Sequence, residues 1–240
     1  ILSAYDGLIE SNQKQINLLE EAAQQLYKEW FINLHFPGYE DTPVVGDFPY
    51  GWENRTIDSF VELLSGFAFK SHTFNNCGRY KIVTIKNVQD GMFDGQNVSR
   101  IDEIPAKLPK HCYLSDGDVL LSLTGNVGRI CIVVGEDFLL NQRVAKLQSK
   151  YKAFTYCLFR SNEMYTTMNN LANGAAQQNL SPIRTGKIIA NVPPETILLQ
   201  FENLVSRIID GIVILSKKNN LLVQARDRLL PKLMSGALEV

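Results

Sequence analysis

The sequence predicts an α+β protein in which a mainly-β domain lies between two long helices that pack as an antiparallel coiled coil. Apolar residues recur at alternating steps of three and four at both ends of the chain, whereas short alternating runs and turn residues fill the middle. We therefore predict a first long helix over 1–35, a domain with its N-terminal linker over 36–194, and a second long helix over 195–240.

The first helix is predicted from a stripe that continues without a break to Trp30. Its members are Leu2, Tyr5, Ile9, Asn12, Ile16, Leu19, Ala23, Leu26 and Trp30. Alternating steps of three and four are the seam of a coiled coil. We expect the helix to end near Phe31, because the breaking sequence 35–38 follows, and we expect 36–50 to be an extended linker.

The middle of the chain is predicted to consist mainly of strands and turns. Strands are expected at 80–88, 119–123, 130–134, 139–147 and 188–192, with a turn at 125–128. One helix is expected at 153–171, and Ser181 followed by Pro182 is typical of the N-terminus of another.

The second long helix is predicted from a stripe that begins after Pro193 and Pro194. Its members are Ile197, Phe201, Leu204, Ile208, Gly211, Leu215, Lys218, Leu222, Ala225 and Leu229. Neither stripe can be buried alone, so we expect the two helices, roughly 45 to 50 Å long, to pack antiparallel. Asn12, Gly211 and Lys218 interrupt the seam and are expected to set its register. The alternative is two ordinary helices packed on a globular core.

Charge is unevenly distributed along this chain of 240 residues. Residues 50–190 carry 16 Lys and Arg against 12 Asp and Glu, whereas residues 1–49 carry 2 against 8. A mildly basic middle domain suits contact with a polyanion through one face, although a solvated surface also carries such an excess.

Cysteine usage and hydropathy predict a cytoplasmic protein. No apolar run is long enough for a membrane span, and no signal peptide is recognised. Cys77, Cys112, Cys131 and Cys157 lack metal-ligand spacing, so we expect reduced, buried side chains. A zinc site that includes His111 and Cys112 is the alternative.

Most catalytic signatures are absent, so no catalysis is expected from this chain. No methyltransferase or nuclease motif is recognised, and Gly186-Lys187 fails as a phosphate-binding loop because Ser181 and Ile188 occupy required positions. The turn at 125–128, followed by Arg129, could offer backbone N–H groups to a phosphate, or it is only a hairpin turn.

Two clusters are rich in side-chain amides, at 141–143 and at 176–179. Asn and Gln can bond adenine, and Arg can bond guanine, in the bidentate way that major-groove reading requires. Amides in loops also commonly satisfy nearby backbone groups, and that explanation stays open.

Several motifs in order along the chain carry a resemblance to a known family. They are Tyr5-Asp6-x-Leu8-Ile9-Glu10-x-Asn12, Leu18-Leu19-Glu20-Glu21, Leu26-Tyr27-x-Glu29-Trp30-Phe31, Gly66-x-Ala68-Phe69-Lys70-Ser71-x-x-Phe74, Gly117-Asp118-Val119-Leu120-Leu121-Ser122-x-Thr124-Gly125-x-Val127-Gly128-Arg129, Leu140-Asn141-Gln142-Arg143-Val144, Gln177-x-Asn179-Leu180-Ser181, Pro193-Pro194 and Leu229-Leu230-Pro231-Lys232-Leu233-Met234-Ser235-Gly236. With these motifs the chain resembles, over essentially its whole length, the specificity subunit of Type I restriction-modification systems.

The resemblance implies that the middle domain recognises one half of a split double-stranded DNA target. The DNA-contacting residues that we expect are Lys70, Ser71, Lys86, Asn87, Thr124, Asn126, Arg129, Gln142, Arg143, Gln177, Gln178 and Asn179. The cations among them would contact phosphates, and the amides would read bases or brace the loops that do. The loop at 90–110 is an alternative location for specificity.

The resemblance also implies the partners. Modification subunits would bind S-adenosylmethionine, a restriction subunit would use ATP and Mg²⁺, and this chain would need no cofactor or metal. The chain looks like the C-terminal half of a full subunit, or a half-subunit that forms a homodimer through its long helices. Two alternatives remain, namely the recognition region of a fused restriction-methylation enzyme and a coiled-coil adaptor that binds protein.

Overall fold

The computed structural model of the chain describes residues 2–172 and 178–235. In them, a sheet-rich domain lies between two long helices, which confirms the predicted fold class. The α-helices of these residues are α1 (Leu2–Tyr27), α2 (Lys152–Arg160), α3 (Asn162–Ala172), α4 (Pro182–Gly186) and α5 (Glu195–Met234). Helix α1 continues into one π-helical turn, Lys28–Ile32, close to the predicted end of the helix.

The strands of the described residues are short, and all of them lie between the two long helices in the sequence. In chain order they are β1 (Val44–Val45), β2 (Phe48–Pro49), β3 (Glu53–Thr56), β4 (Glu62–Ser65), β5 (Tyr80–Val83), β6 (Ser99–Ile101), β7 (Tyr113–Leu114), β8 (Val119–Ser122), β9 (Ile130–Ile132), β10 (Phe138–Leu140), β11 (Val144–Gln148) and β12 (Ile189–Val192).

The strands form two four-stranded sheets and two smaller pairs. One sheet has the order β6-β5-β10-β7, with β5 and β10 parallel, and the other has the antiparallel order β4-β11-β8-β9. The pair β12-β3 joins the beginning of the domain to its end, since Val192 lies opposite Glu53. The chain therefore leaves α1 and enters α5 at neighbouring points of the domain.

An aromatic cluster anchors the domain to both long helices. Phe31, from the turn after α1, lies 4.8 Å from Phe201 of α5 and 5.0 Å from Phe154 of α2, between ring centroids. Tyr27 and Trp30 pack on the same group. Each such pair contributes about 0.5 to 1.5 kcal/mol beyond the burial of its area, so the cluster makes the helix ends part of the domain core.

Helices α1 and α5 pack antiparallel, as predicted. Asp6 near the start of α1 accepts from Arg226 near the end of α5 at 2.9 Å. Further along α1, the side-chain amide of Asn12 donates to that of Asn219, also at 2.9 Å. Residue numbers thus rise along one helix as they fall along the other.

The predicted seam is confirmed for α1 and is rotated for α5. Every member of the α1 stripe is buried or half-buried. The side of α5 that is most buried contains Leu198, Phe201, Val205, Ile209 and Ile212, whereas the predicted members Leu204 and Lys218 are exposed. The physical reason is that α5 packs against both α1 and the domain, so its buried face is centred between those two surfaces.

The three residues that were predicted to interrupt the seam differ in their contacts. Asn12 bonds to Asn219, which is not a member of the predicted stripe, and Lys218 is exposed. Gly211 faces Leu19, since a Cβ built on Gly211 would lie 3.4 Å from Leu19 Cδ1. Gly211 therefore lies at the contact between the two helices, and a methyl group at this position would make ordinary van der Waals contact with Leu19.

Two predicted elements are divided in the structure. The run 139–147 is two strands in different sheets, because the chain turns at 141–143, where the N–H of Val144 donates to the carbonyl of Asn141 at 3.0 Å. The helix predicted over 153–171 is α2 and α3, separated by Ser161. This residue has extended backbone angles, and its hydroxyl accepts from the N–H of Met164 at 3.2 Å.

The remaining predictions differ in outcome. Ser181 caps α4 and the strand expected at 188–192 is β12, but the strand expected at 80–88 ends at Val83. Instead of a fully extended linker, residues 36–50 contain a 3-10 turn, Tyr39–Asp41, and the hairpin formed by β1 and β2.

The cysteine prediction is correct at three positions and wrong at the fourth. Cys112, Cys131 and Cys157 are buried and free, whereas Cys77 is free but exposed. His111 Nε2 donates to the carbonyl of Ser65 at 2.9 Å. Across residues 2–172 and 178–235, no group of three potential ligands from His, Cys, Asp and Glu is placed to hold a metal. Nor, in that same part of the chain, does any helix combine the length and apolar character of a membrane span.

Candidate nucleic-acid interface

The segments that follow β4, β5, β8 and β10 meet at one end of the two four-stranded sheets. The N–H of Phe67 donates to the carbonyl of Leu140 at 2.9 Å, and the N–H of Asn141 donates to that of Val83 at 3.1 Å. Gly125 lies against Ile85. The sheet register thus gathers loops that are far apart in sequence.

A second set of backbone bonds adds the segment before α4 to this group. The N–H of Leu123 donates to the carbonyl of Arg143 at 3.0 Å, and the N–H of Leu180 donates to that of Leu123 at 2.8 Å. Thr124 and Asn179 form an isolated antiparallel bridge. We call the resulting surface the polar edge, and define it by residues 66–71, 84–87, 124–129, 141–143 and 178–179.

Close backbone packing explains a glycine at the polar edge. A Cβ built on Gly66 would lie 2.3 Å from the carbonyl oxygen of Asn141 and 2.5 Å from that of Leu140. No side chain fits into such a gap. Gly66 therefore lets the segment after β4 lie directly on the segment after β10.

The polar edge is positive and contains no acidic residue in its five segments. Lys70, Lys86 and Arg143 are exposed, and none of the three forms an ion pair with any residue that the structure describes. Elsewhere in the domain, by contrast, Lys146 pairs with Asp118 at 2.8 Å. Cations without internal partners are available to an external anion.

Amide side chains lie among these cations. Gln142, Gln178 and Asn179 are exposed and Asn126 is half-exposed. Gln142 is held through its backbone, whose N–H donates to the carbonyl of Phe67 at 3.0 Å and to Asn141 Oδ1 at 2.8 Å. Its side chain is therefore carried on a fixed backbone and faces solvent.

Three of the predicted contact residues are used inside the fold. Asn87 is 1% exposed; its Oδ1 accepts from the N–H and the hydroxyl of Thr84, and its Nδ2 donates to the carbonyls of Asp94 and Asn97, all at 2.8 to 3.0 Å. The hydroxyl of Thr124 is buried. Because these side chains do not reach the surface, the structure favours a structural role for both.

Arg129 is the third residue of this kind. Its Nη1 donates to Gln89 Oε1 at 2.6 Å, and the side chain is half-buried. The turn at 125–128 connects the antiparallel strands β8 and β9 and is therefore a hairpin turn. Of the other predicted residues, Ser71 is exposed in a 3-10 turn beside Lys70, and Gln177 lies outside the described residues.

The structure adds residues that sequence reasoning did not select. Ser65, Ser181 and Pro182 join Gln142 and Arg143 in lining a shallow cleft of about 390 Å³ at the polar edge. Gln89 also joins the site, through its bond to Arg129. No spacing in the sequence could have identified Gln89, because the two residues are 40 positions apart.

The chemistry of the polar edge suits a nucleic acid. Unpaired cations attract phosphates, and neighbouring amides supply both the donors and the acceptors that base edges present. A surface without carboxylates avoids repulsion of a polyanion.

Comparisons with known proteins agree with this chemistry. The family described as Type I restriction modification DNA specificity domain matches residues 49–200. The chain is 27% identical over 252 residues to the Type I restriction enzyme MjaIX specificity subunit of Methanocaldococcus jannaschii, a match that covers 100% of this chain and 57% of that protein. It is 31% identical over 143 residues to the EcoAI specificity subunit of Escherichia coli, which covers 55% of this chain and 24% of that protein.

Solved structures have a similar fold. The Type I restriction-modification S subunit from M. genitalium superposes with a TM-score of 0.61 at 16% identity, over 97% of this chain and 58% of that one. The HsdS subunit from Thermoanaerobacter tengcongensis gives a TM-score of 0.50 at 16% identity, over 98% and 57%. The chain thus spans a little over half the length of these relatives.

Proposed function

Because the chain belongs to the family of Type I restriction-modification DNA specificity domains, we propose that it recognises one part of a double-stranded DNA target. The observation that supports this proposal most is the polar edge. Five segments from distant parts of the sequence meet there, with three exposed cations, four amides that reach solvent and no carboxylate.

Within the polar edge we propose a division of roles. Lys70, Lys86 and Arg143 contact phosphates, since each is an exposed cation without an ion-pair partner among the described residues. Asn126, Gln142, Gln178 and Asn179 contact base edges or hold the groups that do. Ser71 contacts the DNA beside Lys70. The buried Asn87 and Thr124, and the half-buried Arg129, support the loops from within.

The proposed partners follow from family membership. Modification subunits that bind S-adenosylmethionine, and a restriction subunit that uses ATP and Mg²⁺, would supply the chemistry, and this chain would act as their non-catalytic DNA reader in the cytoplasm. A second recognition domain would come from another part of a longer subunit or from a second copy of this chain. In either case the pair α1 and α5 would set the distance between two half-sites.

The test of the function is a selection from randomised duplex DNA at low salt, with the modification subunit of the same system present. The bound pool is sequenced. Enrichment of an inverted repeat with a fixed spacer indicates a symmetric pair of chains, and enrichment of one short motif indicates a single recognition domain. A bound pool without enrichment overturns DNA recognition.

Arg143→Gln tests the polar edge itself. Loss of one phosphate contact is expected to weaken binding to all sequences and to reduce the slope of log K against log salt by about 0.9. The matched control is Lys14→Gln on α1, an exposed lysine that pairs with Glu10 and belongs to none of the five segments of the polar edge. Equal slopes for Arg143→Gln and for the parent chain would contradict the assignment.

A further inference from the structure

One segment runs from the polar edge to the side chain of Arg160, and we define it as the bridging segment, residues 86–92. On one side it contacts β9, since the N–H of Gly91 donates to the carbonyl of Ile130 at 2.8 Å. On the other side it meets Arg160 at the end of α2. Its first residue, Lys86, is one of the three exposed cations of the polar edge.

Arg160 is held between the bridging segment and α1. Its guanidinium pairs with Asp90 and lies 3.9 Å from Glu20 Oε2 of α1, measured from Nη2. Only 16% of the Arg160 side chain and 13% of the Glu20 side chain are exposed. A Cβ built on Gly91 would lie 2.8 Å from Arg160 Nη2, so the guanidinium packs directly on the backbone of the segment.

Glu20 is itself fixed from a second direction. The hydroxyl of Tyr156, also on α2, donates to Glu20 Oε1 at 2.5 Å. Burial raises the pKa of Glu20, while Tyr156 and Arg160 favour its carboxylate. Helix α1 and helix α2 are therefore tied together at the point from which Arg160 reaches the bridging segment.

Gln89 extends these contacts from Asp90 to the polar edge. Its Nε2 donates to the carbonyl of Lys86 at 2.5 Å, and its Oε1 accepts from Arg129 Nη1 at 2.6 Å. Arg129 closes the hairpin turn of the polar edge. One glutamine thus connects Lys86 with that turn, and its neighbour Asp90 connects both to Arg160.

We infer that Arg160 is a positioning residue for DNA contact, which ties helix α1 to the bridging segment and thereby holds Lys86 in place at the polar edge. The inference rests on the proposed function. By this inference, the position of Lys86 depends on Arg160. The position of Lys70 does not, because Lys70 lies in the segment after β4 and has no contact to the bridging segment among the contacts described.

A double-mutant cycle on DNA affinity tests the inference. Arg160→Gln is expected to weaken binding about fivefold, Lys86→Gln by a similar factor, and the double variant by little more than either, since both remove the same contact. Arg160→Gln combined with Lys70→Gln is expected to multiply the two single effects. Arg160→Lys keeps the charge near Asp90 and is expected to recover part of the affinity.

A matched control separates positioning from general loss of structure. Arg226→Gln removes an ion pair between α5 and Asp6 of α1, without touching the bridging segment, and is expected to leave DNA affinity unchanged. Multiplicative effects of Arg160→Gln with both lysine variants would overturn the inference, as would unchanged affinity of Arg160→Gln. If the parent chain shows no DNA binding, it is the proposed function that fails.

Discussion

The Asn87 side chain shapes the polar edge from below its surface. Its carboxamide accepts from the N–H and the hydroxyl of Thr84 and donates to two backbone carbonyls, so a side chain takes up the N–H of the residue that follows β5. Lys86 is placed by this turn. A buried amide can therefore determine the position of a surface cation without itself reaching the surface.

Asn87→Ala should destabilise the chain by about 2 to 3 kcal/mol, because several buried polar groups lose their partner at once. The free energy of unfolding from urea denaturation measures the effect. Asn170→Ala, at an exposed position of α3, is the control and should change stability by less than about 0.5 kcal/mol. Equal values for the two variants would show that the buried amide is dispensable.

Two glycines in the chain should respond oppositely to alanine. Gly66→Ala places a Cβ against two carbonyl oxygens and should cost about 1 to 3 kcal/mol. Gly7 lies in α1 with nothing within 4 Å of its built Cβ, so Gly7→Ala should stabilise by about 0.5 to 1 kcal/mol. Thermal unfolding of both variants measures these changes in stability. A stabilising Gly66→Ala would contradict the close packing of 66–67 on 140–141.

At the scale of elements, the helix pair shows how one polar contact can set a register. Asn12 and Asn219 bond across the interface between α1 and α5, and Asn219 also donates to the carbonyl of Ile9 at 3.3 Å. Sliding either helix by one turn would separate these two half-buried amides. The pair therefore favours one alignment over its neighbours, at some cost in stability.

Single and double replacements of this pair should not be additive. Asn12→Leu leaves the amide of Asn219 without its partner and should cost about 1 kcal/mol, whereas Asn12→Leu with Asn219→Leu should recover that loss or exceed it. Urea denaturation gives the stabilities, and light scattering gives the oligomeric state, which should become less uniform in the double variant. Additive losses would contradict the role of the pair in register.

At the scale of the whole molecule, buried carboxyls make stability depend on pH. Burial raises the pKa of Glu20, at the junction of α1 and the domain, and that of Glu202 on α5 above the ordinary value of 4.5. A carboxyl with a raised pKa in the folded state binds its proton more tightly there than in the unfolded chain. Its contribution to stability is complete below pH 4.5 and is lost as the pH rises through the raised pKa.

Glu20→Gln should remove one part of this pH dependence. The fall in the free energy of unfolding above pH 4.5 should be smaller in the variant than in the parent chain, and Glu202 should account for the remainder. Denaturation series at several pH values measure the two profiles. Glu10→Gln is the control on an exposed stretch of α1, and parallel profiles for Glu20→Gln and the parent chain would contradict burial of Glu20.

The sequence by itself determined those features that depend on local pattern. The α1 stripe, the start of α5 after two prolines and the cap at Ser181 follow from spacing and backbone preference, which act within a few residues. The motifs that carry the family resemblance are likewise contiguous. The turn at 125–128 and the amides at 141–143 and 178–179 were found in the same way, because turn residues and amides stand out from the apolar strands beside them, whereas 84–87 was predicted as part of a strand.

Only the tertiary structure decided which side of an element faces a partner and which polar residues reach solvent. The run 139–147 divides because its halves belong to different sheets. The buried face of α5 is rotated from the predicted seam because α5 packs against both α1 and the domain. Asn87 and Arg129 look like surface residues in sequence, yet one is buried and the other is bonded to Gln89. Burial and long-range hydrogen bonds depend on residues that are distant in the chain, so no local pattern contains them.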